Sequence, residues 1–166
     1  MKTLALFVCL LVFFSGASAH AAAPLGDTVW FYHDVNGSNV TADAGDGYRL
    51  EANGISSIGD AEKFVIEDAG GGKILLKAFA NGKYVRVVTN SVDKLYADAT
   101  DTSDTLTHYT WTDIPDGNVR LANAGFFDGT ESVSPAGSPQ VLRANVNTTY
   151  SLSEISWGTL GTTGVT

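Results

Sequence analysis

Cysteine is the first thing the chain lacks. Its single cysteine, Cys9, lies in an apolar leader, so the body has none to form a disulfide, ligate zinc or act as a thiol nucleophile. Such a domain must hold itself together by packing alone. Basic charge is scarce as well. Ten Lys and Arg stand against 18 Asp and Glu, a net charge of −8 at pH 7 with His neutral. That sign repels phosphate backbones and anionic lipid, so neither nucleic acid nor a membrane surface is an expected partner. The acidity serves solubility.

Long hydrophobic runs are missing, with one exception. Lys2 precedes an apolar stretch over 4–14, and Ala17-Ser18-Ala19 follows as a small-residue cleavage site. The run is too short for a membrane span and has the layout of a secretory signal peptide. The expectation is a signal peptide over 1–19, cut after Ala19, a tail over 20–27 and a secreted, extracellular product. The remaining length suits one domain, able to bury roughly two-thirds of its unfolded surface.

Catalytic patterns are also lacking. There is no Gly-x-Ser-x-Gly elbow, and the three histidines, His20, His33 and His108, are scattered. Cleavage after Ala19 would expose His20 as an N-terminal copper ligand, as in lytic polysaccharide monooxygenases. Those enzymes resemble a β-sandwich, which this chain does not. The expectation is a protein that is not an enzyme and has no cofactor and no metal.

What is present is a repeat. Leu50-Glu51-Ala52-Asn53, Leu95-Tyr96-Ala97-Asp98 and Leu142-Arg143-Ala144-Asn145 stand 45 and 47 residues apart. Repeats at such a period indicate a fold of similar units. Around the motif, strand-type runs alternate with Gly, Asn, Asp and Ser. Val29 to Tyr32, a strand holding Val40, Tyr48 to Ala52 and Lys63 to Glu67 make four strands in the first unit. A step of 45 carries Phe31 to Leu76, Asn36-Gly37 to Asn81-Gly82, Val40 to Val85, Phe64 to Tyr109 and Ile66 to Trp111. A further step of 45 reaches Leu121, and Val133, Leu142, Ile155 and Trp157 complete the third unit. That unit loses its Asn-Gly turn and gains a loop with Phe126, Phe127 and Gly129.

A few isolated strands are marginal in water, but three units around an axis bury a common core. Twelve short strands in three units, with no helix signalled, predict an all-β fold, a β-trefoil over 28–160. Its repeats run about 28–72, 73–117 and 118–160, with a tail over 161–166. A β-sandwich does not account for the shared motif, and propellers typically use 4–8 blades. The Leu and Ala of the motif are read as core, and its Asn as a turn residue.

The run Leu75-Leu76-Lys77-Ala78-Phe79-Ala80-Asn81-Gly82-Lys83-Tyr84-Val85, followed by Leu95-Tyr96-Ala97-Asp98, resembles the repeat of fascin-like β-trefoil domains. The first unit matches at Asn36, Gly37 and Val40, with Asn39 where Tyr84 stands. The third matches at Leu121 and over 142–145. The resemblance covers about 28–160, one trefoil where an actin-bundling fascin has four. It implies a carbohydrate-binding module or lectin, with a glycan or polysaccharide as partner. A secreted chain would not meet actin. The ricin-B-like trefoils carry Gln-x-Trp in each repeat; this chain has none, so their sugar sites do not carry over.

A sugar site needs an aromatic platform beside polar side chains. The candidate ligand-binding residues are Tyr84, Tyr96 with Asp98, and Phe126 or Phe127 with Asp128. Asn81 is assigned to its turn. Asn36, Asn39 and Asn147 head N-x-S/T sequons and are candidate N-glycosylation sites. Two alternatives remain open. One is a β-trefoil protease inhibitor, suggested by Asp34 to Val40 followed by Tyr48. The other is a fascin-like module that binds an extracellular protein.

Overall fold

A computed structural model describes residues 22–33, 37–54, 57–89, 93–114, 117–125, 132–136, 141–146 and 155–160. Among the described residues twelve strands follow one another, four in each of the three repeats. They are β1 (Thr28–His33), β2 (Ser38–Asp43), β3 (Arg49–Gly54), β4 (Phe64–Gly70), β5 (Lys73–Ala78), β6 (Tyr84–Val88), β7 (Lys94–Ala99), β8 (His108–Asp113), β9 (Asn118–Asn123), β10 (Ser132–Ala136), β11 (Val141–Val146) and β12 (Ile155–Thr159). The helical turns among the described residues are three short 3₁₀ segments.

The pairings resolve into two layers. β1 pairs with β4, β4 with β5, β5 with β8, β8 with β9, β9 with β12 and β12 with β1, all antiparallel. That ring is a closed six-stranded barrel, and closure removes the edges on which sheets aggregate. The other six strands form three hairpins, β2–β3, β6–β7 and β10–β11. Their second strands join one another, β3 to β7, β7 to β11 and β11 to β3, making a triangular cap. A six-stranded barrel closed by three hairpins is a β-trefoil, as the repeat predicts.

The threefold motif lies on β3, β7 and β11, the three strands that meet in the cap. Leu50, Ala52, Leu95, Ala97 and Leu142 are all buried, as the period-two alternation requires. The reading of its Asn as a turn residue is corrected. Asn53 is within β3 and donates from Nδ2 to Glu51, and Asp98 is within β7 and binds Arg86. Both sit on the outward side of a strand, where short polar groups pair with neighbours on the same face.

Val29, Phe31, Val40, Phe64, Ile66, Leu76, Val85, Val87, Tyr109, Val119, Leu121 and Ile155 fill the core between barrel and cap. Phe31 meets Phe64 at 5.6 Å and Trp111 at 6.3 Å, and Trp111 meets Trp157 edge-on at 4.9 Å. Residues before β1 join this end of the barrel. Gly26 donates to the Ile66 carbonyl at 2.7 Å, the Ile66 N–H donates to Asp27 at 3.1 Å, and Ala23 packs on the core. On the outer wall, the Trp30 indole lies flat over Gly158, its cross-strand partner. A Cβ at Gly158 would stand 2.7 Å from Trp30 Cζ2.

Candidate functional site

The site grows from the alternation along β4 and β5. Phe64 and Ile66 point inward, so Val65 and Glu67 point out; Leu76 and Ala78 point inward, so Lys77 points out and Phe79 emerges just past the strand. Register brings the outward groups together. Val65 pairs with Lys77 and Lys77 with Tyr84, leaving Glu67 one diagonal step from Lys77. Lys77 Nζ donates to Glu67 Oε1 at 3.2 Å, and the Tyr84 hydroxyl donates to Glu67 Oε2 at 2.8 Å. Lys77 Nζ also stands 5.3 Å from the Tyr84 ring centroid. The bond to Glu67, followed by burial, raises the Tyr84 phenol above its ordinary pKa, so the hydroxyl remains a donor at neutral pH. The Lys77 ammonium is raised too, first by its bond to Glu67 and against the opposing effect of burial.

Phe79 stands beside this triad with 43% of its surface exposed. Together with Gly26, Val65, Glu67, Lys77, Ala78 and Gly82 it lines a concavity of about 320 Å³, within the range of small-molecule sites. The turn behind it is fixed. Asn81 Nδ2 donates to the Ala97 carbonyl at 2.7 Å, its Oδ1 accepts from Lys83 N–H at 2.9 Å, and Gly82 takes a positive φ of 68°. The expected turn role of Asn81 is met. On the other side, Glu62 accepts from Gly59 N–H at 2.8 Å and from Thr41 Oγ1 at 3.1 Å, holding the segment that leads to Lys63. Lys63 Nζ lies 5.4 Å from the Phe79 ring centroid.

Of the residues singled out from the sequence, Tyr84 belongs to this surface, as the partner that fixes Glu67. Tyr96 and Asp98 lie on β7. Tyr96 is half-buried, opposite Arg86 on one side and Arg49 on the other. Asp98 holds Arg86 through two bonds of 2.7 and 2.9 Å. Neither lines the concavity beside Phe79. Phe126, Phe127 and Asp128, and the sequon residues Asn36 and Asn147, lie outside the described residues. Asn39 is 5% exposed within β2, where a glycan has no room. His33 is buried, and His108 places Nε2 2.8 Å from the Thr102 carbonyl. Among the described residues, no group of three or more His, Cys, Asp or Glu is arranged to hold a metal ion.

Sequence reasoning passes over Phe79 and Glu67. The signal for Phe79 is in the alternation, since an aromatic three residues after inward Leu76 falls on the outer face just before an Asn-Gly turn. No such pattern marks Glu67, whose link to Tyr84 depends on the register of three strands.

No protein-family model matches the chain, and no curated protein sequence matches it. Solved structures do. A GlcNAcα1-4Gal-releasing endo-β-galactosidase from Clostridium perfringens superposes with a TM-score of 0.68 at 16% identity, over 81% of this chain and 33% of that one. An exo-β-1,3-galactanase from Clostridium thermocellum gives 0.68 at 12% identity, over 82% of this chain and 31% of that one. The chain thus spans about a third of the length of each enzyme. The BEL β-trefoil gives 0.68 at 10% identity, over 84% of this chain and 97% of that one. At these identities the likeness is one of fold, and the fold is the β-trefoil.

Proposed function

We propose that the protein is a secreted, non-enzymatic carbohydrate-binding module, related to fascin-like trefoils, whose glycan seat is the concavity beside Phe79. The observation that carries the reading is the exposed Phe79 ring next to the Glu67–Lys77–Tyr84 triad. A pyranose offers an apolar face to stack on such a ring and a fringe of hydroxyls to bond with charged and polar groups. Glu67 accepts and Lys77 donates, so both needs of a hydroxyl are met within one concavity. Similarity to carbohydrate-acting proteins, a galactosidase and a galactanase, supports the same reading. The leader over 1–19 supports export.

The test is a glycan array and a pull-down on insoluble polysaccharide, with the wild-type chain and Phe79→Ala. Retention by the wild type and its loss in Phe79→Ala, with an unchanged circular dichroism spectrum, is the expected result. Equal retention of both chains would remove the site from Phe79. Retention by neither, across diverse glycans, would remove the function.

A further inference from the structure

Phe79 is shared by two concavities. The second, of about 380 Å³, is lined by Thr28, Ile58, Lys63, Phe79 and Leu160. The two adjoin along a row of cross-strand neighbours. Leu160 N–H donates to the Thr28 carbonyl at 2.9 Å, Thr28 pairs with Val65, and Val65 pairs with Lys77. Leu160 and Thr28 belong to the second concavity, Val65 and Lys77 to the first. At about 4.8 Å per strand, the row from Leu160 to Lys77 runs roughly 14 Å, more than one pyranose ring covers. Phe79 flanks its middle, held by a bond of 2.9 Å from its N–H to the Lys63 carbonyl.

Both ends of the row carry similar equipment. Lys77 is tied to Glu67, and Lys63 is tied to Asp60 at 3.0 Å. Each concavity also offers apolar surface, Phe79 to both and the 48%-exposed Leu160 to the second. A further observation points to a ligand in the second. Thr28 is 2% exposed, and its hydroxyl has no hydrogen-bond partner among the described residues. Buried hydroxyls are normally satisfied, so an orphan beside a concavity marks a bond left for an occupant.

We propose that the two concavities are consecutive subsites of one cleft, and that the cleft takes an internal stretch of a neutral polysaccharide, at least two sugar units long, rather than a single terminal sugar. The inference rests on the carbohydrate reading above. Length follows from the row, which one ring cannot fill. Neutrality follows from Lys63 and Lys77, the two ammonium groups lining the cleft, each already bound to a carboxylate.

Isothermal titration with galacto-, cello-, xylo- and manno-oligosaccharides of one to six units tests it. In at least one series, affinity should rise about tenfold or more between one unit and three, then level off. Leu160→Ala, at an exposed position, and Thr28→Val should each flatten that rise. Phe79→Ala should remove binding at every length. A monosaccharide bound as tightly as its hexamer, or a length dependence indifferent to Leu160→Ala and Thr28→Val, would overturn the cleft and leave the carbohydrate reading standing. Binding of no member of any series would overturn both.

Discussion

Two glutamates, one in the cap and one on the barrel, are surrounded by nearly the same kinds of groups and end in opposite states. Glu51 on β3 is 3% exposed and is gripped by Arg49 and Asn53, with Asp46 also on the Arg49 guanidinium. Glu67 on β4 is 35% exposed and is held by Lys77 and Tyr84. In the cap, the neighbouring strands leave no room beside the carboxylate, so its partners are fixed parts of the scaffold. On the barrel, the same chemistry lies open beside an exposed aromatic, where a ligand can displace water and share the partners. Accessibility, and not residue type, separates a structural cluster from a binding one.

Removing each carboxylate should separate the two most widely. Glu51→Ala removes a buried carboxylate and leaves the partly buried Arg49 with Asp46 as its remaining carboxylate. Hydrogen bonds to a charged group contribute about 1.5–3 kcal/mol, and the urea midpoint should fall accordingly. Glu67→Ala breaks pairs that water screens, and should cost less than about 1 kcal/mol. Equal losses at the two sites would erase the distinction.

Gly158 tests how rigid the wall is beside the cleft, two residues along the chain from Leu160. A methyl group there overlaps Trp30, which is already packed over the backbone. Gly158→Ala should cost about 1–3 kcal/mol, the usual range for overpacking, and shift tryptophan fluorescence as the indole is displaced.

Two tyrosines extend the comparison to pH. Burial pushes the Tyr109 phenol far up, whereas the Tyr84 phenol is raised mainly by its bond to Glu67. A pKa raised in the folded state contributes stability that is complete below the unfolded value, near 10, and lost as pH climbs through the folded one. The protein should therefore weaken above about pH 10, with tyrosinate absorbance from Tyr109 appearing only as the circular dichroism signal collapses. Glu67→Gln should bring Tyr84 back toward its ordinary value and leave Tyr109 where it is. A Tyr109 that ionises while the fold persists would contradict its burial.

Much of the scaffold was legible from the repeat, because Leu50, Leu95 and Leu142 recur on equivalent strands and alternation carries the core with them. The site was legible only in part. Tyr84 stands out as an aromatic beside a turn, but Glu67 reaches it through the pairing of β4 with β5 and of β5 with β6. The cleft further requires Thr28 and Leu160 to come beside Val65, a contact between the two ends of the trefoil. Local patterns report which face a residue takes. They do not report which outward faces become neighbours once the barrel closes, and the cleft is made of such neighbours.

The smallest effect on stability is expected where the effect on function is greatest. Phe79 lies past the end of β5, and its exposed ring contributes little to the packed interior. Its backbone bond to Lys63 and the Asn81 turn both survive truncation of the side chain. Phe79→Ala should therefore leave the unfolding free energy from urea titration within about 0.5 kcal/mol of the wild type, as surface changes usually do, while glycan retention is lost. A large fall in stability would instead mean that Phe79 serves as a plug between the two concavities. Phe79 would then join Glu51 on the scaffold side of the comparison, and the open face of the barrel would lose its aromatic platform.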